Sequence, residues 1–218
     1  MLLAPLVIVF RALIPVPTPT SYAAFVYTGL LPWLFFSESV RTATESLVVN
    51  APLVRRTAFA RSLLPLATVA TRAVEHVLVG LITLPVLYAT SRHALHATVL
   101  LLPVLFALLC ALAAGISLCT SVLFVYFRDV RHALYVFLAV WMYATPILYA
   151  PTMLPERIQR VLFLNPLTWF LDAGRGVLLE GRAPPLQTWA VLISCAVASL
   201  AGGVLIFRRL EKNVADVI

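Results

Sequence analysis

The sequence predicts an all-α, polytopic membrane protein, and three observations carry that prediction. The chain of 218 residues is 62% hydrophobic and only 11% charged, whereas a soluble domain carries about 25% charged residues. Mean hydropathy is +0.99, and several apolar runs approach the roughly 20 residues that a membrane helix needs. Short arginine-rich clusters separate those runs, and Lys212 is the only lysine among 16 basic residues. The net charge of +7 then serves orientation and contact with anionic lipid headgroups. There is no basic block interleaved with aromatics of the kind that grips a nucleic-acid strand, so nucleic acid is not an expected partner.

The first apolar run, Leu2 to Phe10, extends at most to Ile14 and then contains Arg11. It is short for a crossing and reads as a truncated first span. Pro15, Pro17 and Pro19 follow and force an extended connection. The second run covers Tyr22 to Ser37, with Glu38 and Arg41 marking its end. Residues 39–62 are more polar and hold Glu45, Asn50, Arg55, Arg56 and Arg61. A third run covers about Ala73 to Ala89, and Ser91 to His96 is a polar turn. The fourth runs from Ala97 to Phe127, and the fifth from about Ala133 to Ala150. The sixth covers about Trp189 to Phe207 and is capped by Arg208, Arg209 and Lys212.

Segment 151–186, between the fifth and sixth runs, is not a simple loop. Pro155 to Phe163 is amphipathic, with Ile158, Val161 and Leu162 opposite Glu156, Arg157, Gln159 and Arg160. Asn165-Pro166 breaks it, and Leu167 to Leu179 forms a second short helix with Asp172 and Arg175 at i,i+3. Each piece is too short to span, so two re-entrant half-helices are expected. Basic residues orient the chain. With the C-terminus in the cytoplasm, residues 39–62, the turn holding Arg128 and Arg131, and the Arg208–Lys212 tail all lie inside. Six spans satisfy that arrangement and put 151–186 at the outer face. The whole chain, 1–218, is then one transmembrane domain.

Several stretches resemble a known family. Leu30-Leu31-Pro32-Trp33-Leu34-Phe35-Phe36, the segment Asn50 to Pro65, Phe127-Arg128-Asp129-Val130-Arg131, Thr145-Pro146-Ile147-Leu148-Tyr149 and Leu164-Asn165-Pro166-Leu167-Thr168 are similar to ABC-2 type transporter permeases. The resemblance is to the polysaccharide and O-antigen exporters (Wzm-like) in particular, and it covers residue 22 onward. It implies a six-helix ABC-2 membrane domain, a second copy of the chain and a separate ABC ATPase subunit. It also implies a lipid-linked glycan as substrate, membrane lipids as surroundings and a place in the bacterial inner membrane. The chain is expected to bind no cofactor itself, with ATP and Mg on the partner. It has no G-x-x-x-x-G-K-[ST] phosphate loop.

Candidate roles follow for named residues. Leu53, Arg55, Arg56, Phe59 and Arg61 mix apolar and cationic groups in the 39–62 segment, which suits a coupling element seated in a groove of a soluble partner; the alternative is an interfacial helix on anionic lipid. Trp33, Phe36, Tyr135, Trp141 and Tyr143 are candidates for a sugar-stacking channel, against the alternative of an interfacial aromatic belt. Arg128 and Arg131 would flank the cytoplasmic entrance, and Asn165 and Pro166 an outer gate. Arg72 and Glu75 are expected to pair, with His76 beside them. His93 and His96 have no carboxylate or cysteine near them in sequence, so no metal site is expected. An integral-membrane enzyme would cluster its acids, but the nine here are scattered. Exporters of drugs or small lipids, and a non-catalytic scaffold or degenerate paralogue, remain the alternative functions.

Overall fold

A computed structural model describes residues 22–56, 59–91 and 96–214. The first apolar run and Arg11 lie outside the described residues, as does the side chain of Arg56. Among the described residues every regular element is helical, and four helices are long and apolar enough to cross a membrane.

Helix α1 (Tyr22–Val49) has 28 residues. It does not stop at Glu38, as the charge pattern predicts, but runs on to Val49. Glu38 and Arg41 share a face and pair at 3.5 Å. The hydroxyls of Thr42 and Thr44 donate to the carbonyls of Glu38 and Val40, both at 2.7 Å. Polar side chains bonded back into their own helix remove the reason to break it. Asn50 ends the helix, its Nδ2 donating to Ser46 O at 2.8 Å. A single-turn helix, α2 (Ala51–Arg56), follows.

Helix α3 (Leu63–Ser91) starts well before the apolar run it was expected to match. Pro65 sits in its first turn, where a missing N–H costs nothing. A 3-10 turn (Ala97–Leu101) leads into α4 (Leu102–Tyr126), with Pro103 near its start. Helix α5 (Val130–Tyr143) has 14 residues, about 21 Å at 1.5 Å per residue. It is shorter than the apolar run, which continues to Ala150. Pro146 supplies no N–H to the helix and disfavours helical geometry at Thr145, so the helix ends early. The outer segment holds α6 (Glu156–Leu162) and α7 (Pro166–Leu179), and α8 (Leu186–Leu210) closes the fold before a 3-10 turn (Glu211–Asn213).

Helix α4 is the centre of the bundle, packed against α8, α1 and α3. Its contact with α8 is backbone on backbone. A Cβ on Gly115 would lie 2.2 Å from the carbonyl carbon of Ser199, and one on Gly203 would lie 2.1 Å from Gly115 O. Ser199 Oγ donates across the same contact to Leu112 O at 2.9 Å. Small residues permit this approach, which supplies van der Waals contact where lipid offers no hydrophobic drive. Helix α3 instead turns Val74, Leu78, Leu81 and Ile82 outward, as a lipid-facing helix does.

The basic segments collect at one end. Tyr126 Oη donates to Leu210 O and Arg61 Nη1 to Glu211 O, both at 2.6 Å. Leu47, Val54, Leu118, Val122, Val125 and Phe207 form an apolar cluster there. The opposite end is tied by Tyr22 Oη to Leu148 O (3.1 Å), Tyr88 Oη to Leu178 O (3.0 Å) and Thr98 Oγ1 to Val177 O (3.0 Å). The two short helices of segment 151–186 therefore sit at the end away from the basic segments.

Candidate functional site

The break after α5 leaves carbonyls without helical partners; Arg175 answers two of them, and Asn165 ties the side chains at the break. Asn165 caps α7: its Oδ1 accepts from Leu167 N–H and from Trp141 Nε1–H, both at 3.0 Å. Its Nδ2 donates to Thr145 Oγ1 at 2.8 Å, and that hydroxyl donates to Trp141 O at 2.8 Å. Pro166 holds the first helical position, where its fixed φ helps the helix begin. One asparagine thus fastens the end of α5 to the start of α7.

Arg175 makes the second tie. It is 6% exposed. Nη1 donates to Pro146 O at 2.8 Å, and Nη2 to Ile147 O at 2.9 Å and Phe25 O at 3.3 Å. The guanidinium also lies 3.6 Å from the centre of the Phe25 ring, a cation–π contact that gains from burial. The sequence spacing pairs Arg175 with Asp172; the structure turns it to main-chain carbonyls of α1 and of the post-α5 turn instead. Helix α7 is not one of the four spanning helices. There burial raises the Asp172 carboxyl above its ordinary range, against the pull of Arg182 and Arg175. Gly29 makes room for the guanidinium, since a Cβ there would fall 2.5 Å from Arg175 Nη2. Nothing in the local sequence marks Gly29 for this; only the crossing of α1 and α7 reveals it.

The aromatic candidates divide. Trp141 packs edge-on against Phe36 (5.3 Å between ring centres) and Trp33 (6.4 Å), so these three join Asn165 in one cluster. Trp33 and Phe36 are buried in the protomer. Tyr135 and Tyr143 lie outside that cluster. Tyr143 is 69% exposed near the end of α5. Tyr135 carries the Arg41 guanidinium 4.8 Å above its ring, which brings Glu38, Arg41 and Tyr135 together between α1 and α5. Sequence reading took Glu38 and Arg41 as the end of a span and so missed that grouping.

At the basic end, Val54 turns inward and Leu53 outward, 2% and 44% exposed. Arg55 is exposed and Phe59 half-buried. The outer face of segment 50–61 therefore mixes apolar and cationic groups, while Val54 and Arg61 hold the segment to the bundle. Arg128 and Arg131 are exposed at the turn before and the first turn of α5, with Arg128 over the Phe124 ring at 5.4 Å. Arg72 and Glu75 pair at 2.8 Å. His76 is drawn away from them, between Phe35 (5.3 Å) and Phe106 (5.6 Å).

Comparison with known proteins places these features in context. The family model for the ABC-2 type transporter matches residues 8–179. An O-antigen export system permease protein RfbA of Klebsiella pneumoniae is 27% identical over 214 residues, covering 96% of this chain and 80% of that protein. A protein of the same name from Myxococcus xanthus is 26% identical over 203 residues, covering 91% of this chain and 76% of its own length.

Proposed function

The chain belongs to the ABC-2 type transporter family, and from that premise we propose that it is the membrane subunit of an ATP-driven exporter of lipid-linked polysaccharide. The observation that carries the reading is the match, over more than nine-tenths of the chain, to proteins named as O-antigen export permeases. The working unit is two copies of this chain with two ATPase subunits, in the bacterial inner membrane. The basic end faces the cytoplasm, in keeping with the positive-inside rule. Six spans per copy complete the domain, with α5 as the fifth.

In this unit the outer face of segment 50–61 seats in a groove of the ATPase, with Leu53 and Phe59 as apolar anchors and Arg55 beside them, while Arg61, bonded to Glu211 O, holds the segment to the bundle. Closure of the ATPase pair pushes that segment, and Val54 transmits the push into the apolar cluster at the base of α1, α4 and α8. The glycan enters past Arg128 and Arg131 and passes the exposed rings of Tyr135 and Tyr143 on α5, where sugar faces stack, while the buried Trp33 and Phe36 back Trp141. The short helices tied by Asn165 and Arg175 gate the exit.

Co-purification with a candidate ABC ATPase subunit tests the coupling role. Arg55→Ala, Arg56→Ala and Phe59→Ala combined should cut recovery of the ATPase at least about tenfold, because a few central anchors carry most interface energy. Undiminished recovery and undiminished ATP-driven export from the triple variant would remove segment 50–61 from the coupling role.

A further inference from the structure

An open cleft of about 590 Å³ lies at the basic end, between the residues leading into α3 and the end of α8. That volume falls within the roughly 300–1,000 Å³ of small-molecule sites. Its floor is apolar: Leu66, Leu118, Val204 and Phe207. Its rim carries Arg208 and Lys212, both exposed, and neither is in an ion pair among the described residues. Arg61 forms part of the wall and is anchored on Glu211 O. The Glu211 carboxylate is the one acidic group of the lining, set against three cations.

We propose that this cleft binds an anionic phospholipid, with the phosphodiester on Arg208 and Lys212 and the start of an acyl chain over the apolar floor. The position favours a lipid over a soluble anion. The floor belongs to the membrane-spanning helices α3, α4 and α8, and the cations stand in the last turn of α8 and just beyond, where apolar sequence stops. Basic pockets between transmembrane helices on the cytoplasmic side take anionic headgroups in this way. A soluble phosphate would use the rim and leave the floor uncovered. Phe59 and Arg61 also line the cleft, so a bound lipid would brace the segment assigned above to ATPase coupling. The binding claim itself stands without that assignment.

Native mass spectrometry of the full-length chain in neutral detergent tests it, with dioleoyl phosphatidylglycerol and dioleoyl phosphatidylcholine as probes. The expected result is retention of phosphatidylglycerol about thirty-fold above phosphatidylcholine, the effect of two cations at an anionic headgroup. The double variant Arg208→Gln, Lys212→Gln should bring that preference to within about twofold. The control pair Arg157→Gln, Arg160→Gln, at the opposite end, should leave it intact. Glycerol 3-phosphate, which has the head without the chain, should not displace the lipid. Equal retention of both lipids, or an unchanged preference in the double variant, would overturn the proposal; displacement by glycerol 3-phosphate would reassign the cleft to a free anion. Because this readout needs neither ATP nor substrate, its failure is distinct from a failure of the transport reading.

Discussion

Replacing Arg175 by glutamine lowers the stability of the protein by about 3 kcal/mol or more. Three main-chain acceptors, Pro146 O, Ile147 O and Phe25 O, lose a charged donor at once. Hydrogen bonds to charged groups contribute about 1.5–3 kcal/mol each, and a buried acceptor left without a partner costs about 1–3 kcal/mol. Glutamine is too short to span the same set and has no charge to place over the Phe25 ring. Arg175→Lys keeps the charge but not the fork, so it should recover less than half of the loss. Gly29→Ala probes the same clamp from the other side. Its new Cβ would lie 2.5 Å from Arg175 Nη2 and 3.3 Å from Ile147 O, so the guanidinium must shift within its bonds, at a cost of about 1–2 kcal/mol, the lower part of the overpacking range. Unfolding in detergent, followed by denaturant titration, gives the order Gln worst, Lys intermediate, Gly29→Ala mildest. A stability for Arg175→Gln equal to that of the unmodified chain would remove the clamp.

The second large effect lies where α4 meets α8. Gly203→Ala and Gly115→Ala should each cost about 3 kcal/mol, the upper range for inserted volume in a packed core. The atoms in the way are backbone atoms, at 2.1 Å and 2.2 Å from the new Cβ positions, so no rotamer change relieves them and the helices must part. Gly202 is the internal control: a Cβ there meets nothing within 4 Å. Gly202→Ala should be neutral or stabilising by up to about 1 kcal/mol, because alanine is the better helix former. The same substitution one residue apart thus changes sign. Similar losses at Gly202 and Gly203 would contradict the close helix contact.

Much of this architecture was legible in the sequence because membrane helices announce themselves by composition. The α4 and α8 segments, the C-terminal two-thirds of α3, the turn at Arg128–Asp129, the two short helices and the Arg72–Glu75 pair follow from apolar runs, charge clusters and local spacing. The length of α1 was not legible. A charged residue inside an apolar run reads as the end of the run, and only backbone-directed threonine hydroxyls and the Glu38–Arg41 pair show why the helix continues. The early end of α5 was half legible: Pro146 marks the break, but the apolar residues after it disguise the loss of helix.

The candidate site divides along the same line. Asn165 was readable as a break, since an Asn-Pro step has a local mechanism as a helix cap. Its bonds to Trp141 and Thr145 were not, because they join α7 to the end of α5 across the fold. Arg175 was legible only by its spacing to Asp172, whereas the carbonyls it holds come from residues about 30 and 150 positions earlier. Gly29 had no signal, as its role exists only where two helices cross.

The most direct measurement is ATP-dependent movement of lipid-linked polysaccharide in proteoliposomes holding this chain and the ABC ATPase subunit that co-purifies with it. The expected result is glycan transfer to the far side that requires ATP, requires this chain, and falls at least about tenfold in the Arg55, Arg56 and Phe59 triple alanine variant. ATP hydrolysis with no glycan movement, or glycan movement that persists when this chain is left out, would contradict its assignment as the export permease.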